Sequence, residues 1–79
     1  MTKAEIFEIV KKNALEILEV QADAITMDKS LSDLGANSVD RMEIVTLSME
    51  ELGIKIPFMS FAAATNIGSL VDVLSSNLR

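Results

Sequence analysis

Apolar residues recur along most of this chain at helical spacing, and that recurrence limits its fold more than any other feature. Ile67, Leu70, Val71, Leu74 and Leu78 fall at i, i+3, i+4, i+7 and i+11, a stripe along one side of a helix that turns about 100° per residue. Near the other terminus Ile6, Phe7, Val10, Ala14, Ile17 and Leu18 share one broad face, and Glu8, Lys11, Lys12, Glu16 and Glu19 lie opposite. Each apolar face must be buried against another element. In a chain of 79 residues without cysteine, no disulfide can stand in for that packing, so the helices must supply the whole of one modest core. The pattern predicts a single all-α domain over residues 1–79, with no repeats, low-complexity tracts or interdomain linkers.

Taken in order, Thr2 and Glu5 stand at capping-box spacing and start the first helix, which the pattern carries to about Val20. Leu15 points among its charges as an ordinary surface leucine. Helical periodicity lapses over residues 21–36, a connection long enough to suggest a functional role. Ile25, Met27, Leu31 and Leu34 are expected to pin it to the core, and Ser30 and Asp33 to cap a single turn over 31–34. Asp23, Asp28 and Asp33 lack the alternate spacing, central glycine and terminal glutamate of a calcium loop, so the segment reads as solvated.

The second helix is expected over residues 39–52, with Gly53 as its stop. By periodicity alone Met42, Val45, Met49 and Leu52 form its core stripe, while Ile44 and Leu47 lie elsewhere, giving more apolar surface than one face needs. Ile54 to Ile56 is the one strand-like stretch, and Pro57 is suited to open a short third helix over 58–64. So short a helix hides one side, so Phe58, Met59 and Phe61 cannot all be covered; two of them are expected to close the core. Thr65 or Asn66 caps the last helix, and Gly68 in its first turn permits a close helix approach. Three main helices, a short third one and a long first loop make a small four-helix bundle.

The residue inventory narrows the function. Cysteine, histidine, tyrosine and tryptophan are all absent, which removes thiolate zinc sites, cysteine nucleophiles and the commonest general base. The net charge of −5 disfavours nucleic acid and anionic membranes and favours basic protein surfaces. No apolar run is long enough to span a bilayer and no signal peptide is visible, so the expected location is cytoplasmic.

The stretch from Leu34 through Gly35, Ala36, Asn37, Ser38, Val39, Asp40, Arg41 and Met42 to Glu43 reads as a tight turn entering a helix. Gly35 permits an unusual backbone angle, Asn37 is a favoured N-cap, and Asp40 places negative charge in the first turn, where the helix dipole favours it. Ser38 then lies at or beside the first helical position with a solvent-facing hydroxyl. A phosphate there would meet unpaired N–H donors and the positive end of the dipole. Serine is common near helix starts, so this local chemistry alone does not separate a modified serine from an ordinary one.

The complete motif does separate them. The stretch closely resembles the prosthetic-group attachment site of acyl carrier proteins: a Leu-Gly turn, a small residue, an acid or amide, serine, an apolar residue and an acid. The resemblance covers nearly the whole chain. It implies that Ser38 is esterified by phosphopantetheine from coenzyme A, with Asn37, Val39 and Asp40 around it, and that the arm carries acyl groups as thioesters. The family usually has Asp where this chain has Asn37, which bears on recognition by a phosphopantetheinyl transferase and on charge near the phosphodiester. The resemblance turns Ile44, Val45 and Leu52 inward. Val39, Met42, Glu43, Thr46, Met49 and Glu50 then face partner enzymes, among them acyltransferase and ketosynthase-type enzymes. Phe58 and Met59 offer a further docking spot, and methionine adapts to more than one surface.

A non-catalytic, free-standing and monomeric carrier is expected. Asn37, Val39 and the apolar 58–64 segment make it resemble a discrete polyketide carrier more than a general fatty-acid carrier, and the resemblance implies a specialised role, such as supply of an acyl unit for a β-branching step. The alternatives are a peptidyl carrier of nonribosomal synthesis, against which Ala36-Asn37 speaks, and an unmodified helical adaptor.

Overall fold

A computed structural model describes residues 1–78. Among them are three α-helices: α1 (Lys3–Ile17), α2 (Ser38–Leu52) and α3 (Ile67–Ser76), with short 3-10 turns at Ala22–Ala24 and Phe58–Phe61 and no strand. The all-α expectation holds, but the bundle has three α-helices and not four. The 58–64 segment makes a single four-residue 3-10 turn after Pro57, without a side-chain cap. A 3-10 turn eclipses residues three apart, and it brings the Phe58 ring to 6.2 Å from that of Phe61. Phe61 is buried while Phe58 and Met59 stay exposed, so one of the three closes the core where two were expected.

Helix α1 packs against both α2 and α3. Its Ile6, Val10 and Ala14 meet Ile44 and Val45 of α2 and Ile67, Leu70, Val71 and Leu74 of α3 in one core, to which the connections add Ile25, Leu31, Ala36, Ile56 and Phe61. Each fully buried Leu, Ile, Val or Phe side chain contributes about 1.5–3 kcal/mol relative to exposure. The Thr2–Glu5 capping box forms with both of its bonds. The helix stops at Ile17, short of the expected Val20, because Leu18 turns to an extended conformation with its side chain buried. One polar pair lies inside the interface. Asn13 of α1 donates from Nδ2 to Ser48 Oγ of α2 at 3.1 Å, and Ser48 donates to the Ile44 carbonyl at 2.8 Å.

The long loop is held differently from the way its apolar residues suggest. Ile25 and Leu31 are buried and Leu34 is half-buried, but the Met27 side chain is exposed. Its backbone does the pinning: the Met27 carbonyl accepts from Gly68 N–H and the Lys29 carbonyl from Ile67 N–H, both at 2.8 Å. The first N–H groups of a helix have no partner within it, and the loop supplies acceptors for two of them. A Cβ on Gly68 would lie 3.2 Å from the Met27 carbonyl oxygen, so this glycine permits close approach of the loop, not of another helix. Ser30 and Asp33 bond reciprocally, backbone N–H to side chain, at 3.1 and 2.9 Å. They frame the turn over 31–34, which leads to α2.

Candidate functional site

That turn is where the site begins. Gly35 adopts φ +93°, and an added Cβ would meet nothing within 4 Å, so torsion and not space demands glycine there. Ala36 tucks into the core and Asn37 becomes the N-cap of α2. Asn37 Oδ1 accepts from Asp40 N–H at 2.8 Å, and Asp40 accepts from Asn37 N–H at 3.2 Å. This capping box fixes the direction in which α2 starts. Ser38 is the first residue of the helix and is exposed, with Arg41 Nη2 3.4 Å from its Oγ. With Asp40 N–H taken by the cap, Ser38 and Val39 N–H remain as open first-turn donors at the positive end of the dipole.

A groove of about 640 Å³ opens beside Ser38. Val45, Phe61, Ile67 and Leu70 give it an apolar floor, and Ser30, Ser32, Arg41 and Asn66 give it polar edges. A smaller depression, which adjoins the groove at Met42, is formed by Val39, Met42, Glu43, Thr46 and Leu47. A phosphopantetheine ester fits this arrangement. The Ser38 oxygen is accessible, its negatively charged substituent would meet N–H donors and a guanidinium, and the groove has the size of a small-molecule site.

The predicted site residues fall into two groups. Asn37, Ser38, Val39 and Asp40 come together at the start of α2. Val39 is 62% exposed and Met42 50%, and Glu43, Thr46 and Glu50 are also exposed. Ile44 and Ser48 are fully buried and Val45 nearly so, with Met49 and Leu52 half-buried against the core. The periodicity stripe therefore errs at Met42 and misses Ile44, as the inward set implied by the family resemblance does not. Phe58 and Met59 line the groove and stay exposed, at 47% and 85%.

Sequence reading missed Arg41 as a neighbour of Ser38, although the pair stands three apart on one helix face. It also missed the Asn13–Ser48 bond, for which no local signal exists. Hydrogen bonds shift three exposed carboxyls. Ser30, through its backbone and then its hydroxyl, holds Asp33 below the usual carboxylate range. Thr26 does the same for Asp28 through its hydroxyl, and Thr2 for Glu5 through backbone and side chain.

Comparison with known proteins agrees with this geometry. A family model described as phosphopantetheine attachment site matches residues 8–74. The chain is 41% identical over 75 residues to the polyketide biosynthesis acyl-carrier-protein AcpK of Bacillus subtilis (strain 168), covering 94% of this chain and 92% of that one. It is 44% identical over 72 residues to an acyl carrier protein of Campylobacter hominis, covering 90% and 87%. It also superposes, with a TM-score of 0.88 and 38% identity over 96% of this chain, on a chain of the crystal structure of the Curacin biosynthetic pathway HMG synthase in complex with acetyl donor-ACP, 99% of which is covered. Motif, fold and relatives converge: this chain belongs to the phosphopantetheine-attachment family and, within it, to the acyl carrier proteins.

Proposed function

We propose that Ser38 is the attachment residue and that the chain carries a short acyl unit through a polyketide pathway. As an acyl carrier it presents a substrate to enzymes and catalyses nothing itself. The observation that carries the assignment is the exposed Ser38 hydroxyl at the first position of α2, beside a groove with an apolar floor. When attached, the phosphopantetheine arm supplies a terminal thiol that bears acyl groups as thioesters. The chain's own residues do the rest. Asn37 and Asp40 keep the start of α2 rigid, so the Ser38 oxygen holds its direction. Ser38 and Val39 N–H offset the charge of a phosphodiester. Val45, Phe61 and Leu70 offer apolar cover to whatever the arm lays in the groove.

The polyketide setting is supported by AcpK, named for polyketide biosynthesis, and by the neighbour that serves as acetyl donor to an HMG synthase. By that likeness the present chain donates an acyl unit to an enzyme of similar chemistry. A phosphopantetheinyl transferase acts on it first, and acyltransferase or ketosynthase-type enzymes are further partners. Val39, Met42, Glu43, Thr46 and Glu50 on α2, with Met49 at the edge and Phe58 and Met59 across the groove, form the proposed docking face. Its exposed methionines and phenylalanine adapt to a partner, and its acids meet basic side chains.

Intact-protein mass spectrometry tests the attachment. Incubation with coenzyme A and a broad-specificity phosphopantetheinyl transferase is expected to add one phosphopantetheine to the native chain and none to Ser38→Ala. No gain in the native chain, or a gain that persists in Ser38→Ala, overturns it. Loading with malonyl-, acetyl- and aminoacyl-charging enzymes then distinguishes an acyl from a peptidyl carrier.

A further inference from the structure

The segment around Ser38 is acidic, and a phosphodiester would add one more negative charge to it. Between Lys29 and Lys55 the sequence holds Asp33, Asp40, Glu43, Glu50 and Glu51, against Arg41 as its one cation. Arg41 is exposed and takes part in neither of the two ion pairs among the described residues, Lys3–Asp72 and Lys12–Glu51. Its nearest acids are poorly placed to hold it. Asp40 is engaged in the cap with Asn37, and Glu43 stands two residues on, a spacing at which helical side chains do not face each other. The side-chain partner of Arg41 is instead the Ser38 hydroxyl, at 3.4 Å, a long bond to a neutral group. An arginine fork is better matched to a phosphate, whose oxygens accept two parallel N–H bonds. Arg41 also lines the edge of the groove, on the side where Ser38 stands.

We propose that Arg41 is the phosphate-pairing residue of this carrier: once Ser38 is esterified, its guanidinium leaves the bridging oxygen for the non-bridging ones and holds the root of the arm over the groove. This rests on the reading of Ser38 given above. The pairing offsets the added charge within an acidic face, a task that the N–H groups of Ser38 and Val39 alone would share with bulk salt.

The test uses apo and fully modified forms of the native chain, Arg41→Gln and Arg41→Lys, each verified by intact mass. The exposed position of Arg41 leaves folding intact, which circular dichroism checks. On modification of the native chain the Arg41 Nε–Hε resonance is expected to shift and sharpen. The phosphorus resonance of the modified native chain is expected to differ from that of modified Arg41→Gln. The change in Tm on modification should be more favourable in the native chain than in Arg41→Gln by about 2–4 °C at low salt. That difference should shrink at about 0.5 M salt, where exposed charges are screened, and Arg41→Lys should keep part of it, as a point charge without the fork. Identical phosphorus resonances and identical Tm changes in native and Arg41→Gln chains overturn the pairing while leaving Ser38 as the attachment site. No mass gain in the native chain overturns both.

Discussion

Helices α2 and α3 are both rich in apolar residues, yet they use them differently. Every apolar residue in the α3 stripe from Ile67 to Leu74 is buried, because α1 covers that one face and the loop carbonyls of Met27 and Lys29 hold the helix start against it. Helix α2 is likewise covered by α1, along Ile44, Val45 and Ser48, but it leaves Val39 and Met42 in solvent beside Ser38. Apolar side chains isolated on a surface are ordinary. Two of them next to Ser38, the proposed attachment residue, with Phe58 and Met59 across the groove, form a patch that a partner can cover. Helix α2 thus divides its apolar residues between two faces: one holds the bundle, and the other is left open for the docking proposed above.

The contrast can be broken most forcefully in the core. Leu74→Ala in α3 is expected to cost about 2–5 kcal/mol, much of the stability of so small a domain, whereas Met42→Ala should stay within about 0.5 kcal/mol. Urea denaturation of both variants checks this, and similar losses would show that α2 has no free face. Function should respond the other way round. Met42→Glu and Phe58→Glu should slow acyl transfer to a dedicated partner by about tenfold, the effect of one moderate interface contact, with attachment of the arm nearly unchanged. Unfolding of these variants in place of slowed transfer would return both side chains to the core.

Smaller effects sharpen the comparison at the helix starts. Asn37→Ala removes the α2 cap and should cost about 1 kcal/mol, while Asn37→Asp, an equally good cap, should be near neutral; thermal unfolding of the pair separates capping from charge. The smallest expected effect is on pH. Glu5, Asp28 and Asp33 have folded-state pKa values below those of the unfolded chain. The stability they contribute is therefore present above the ordinary carboxylate range and lost as pH falls below it through the lowered values. All three are exposed, so the effect is slight: Asp33→Asn should lower the urea midpoint a little at neutral pH, where the ionised carboxyl contributes, and converge on the native chain in acid, which flattens the acid side of the profile.

Much was legible in the sequence because it is written in local chemistry. Thr2 with Glu5 and Asn37 with Asp40 announce two helix starts through side chains that bond their own backbone. Gly35 and Gly53 mark positions where φ is positive, at +93° and +70°. The α3 stripe needed one neighbour and found it. Ser38 stood out because turn, cap, hydroxyl and acid occur together in one short stretch.

What the tertiary structure decided is which of several apolar faces has something to lie against. Periodicity says which α2 residues share a side, not which side α1 occupies, so Met42 and Ile44 exchanged places. The Asn13–Ser48 bond joins residues far apart in the chain, and the anchoring of the long loop runs through the carbonyls of Met27 and Lys29, groups that every residue type carries alike. The groove beside Ser38 has the same origin: its floor comes from α2, α3 and the Phe58–Phe61 turn together, and no one of these segments encodes a hollow until the others are packed beside it.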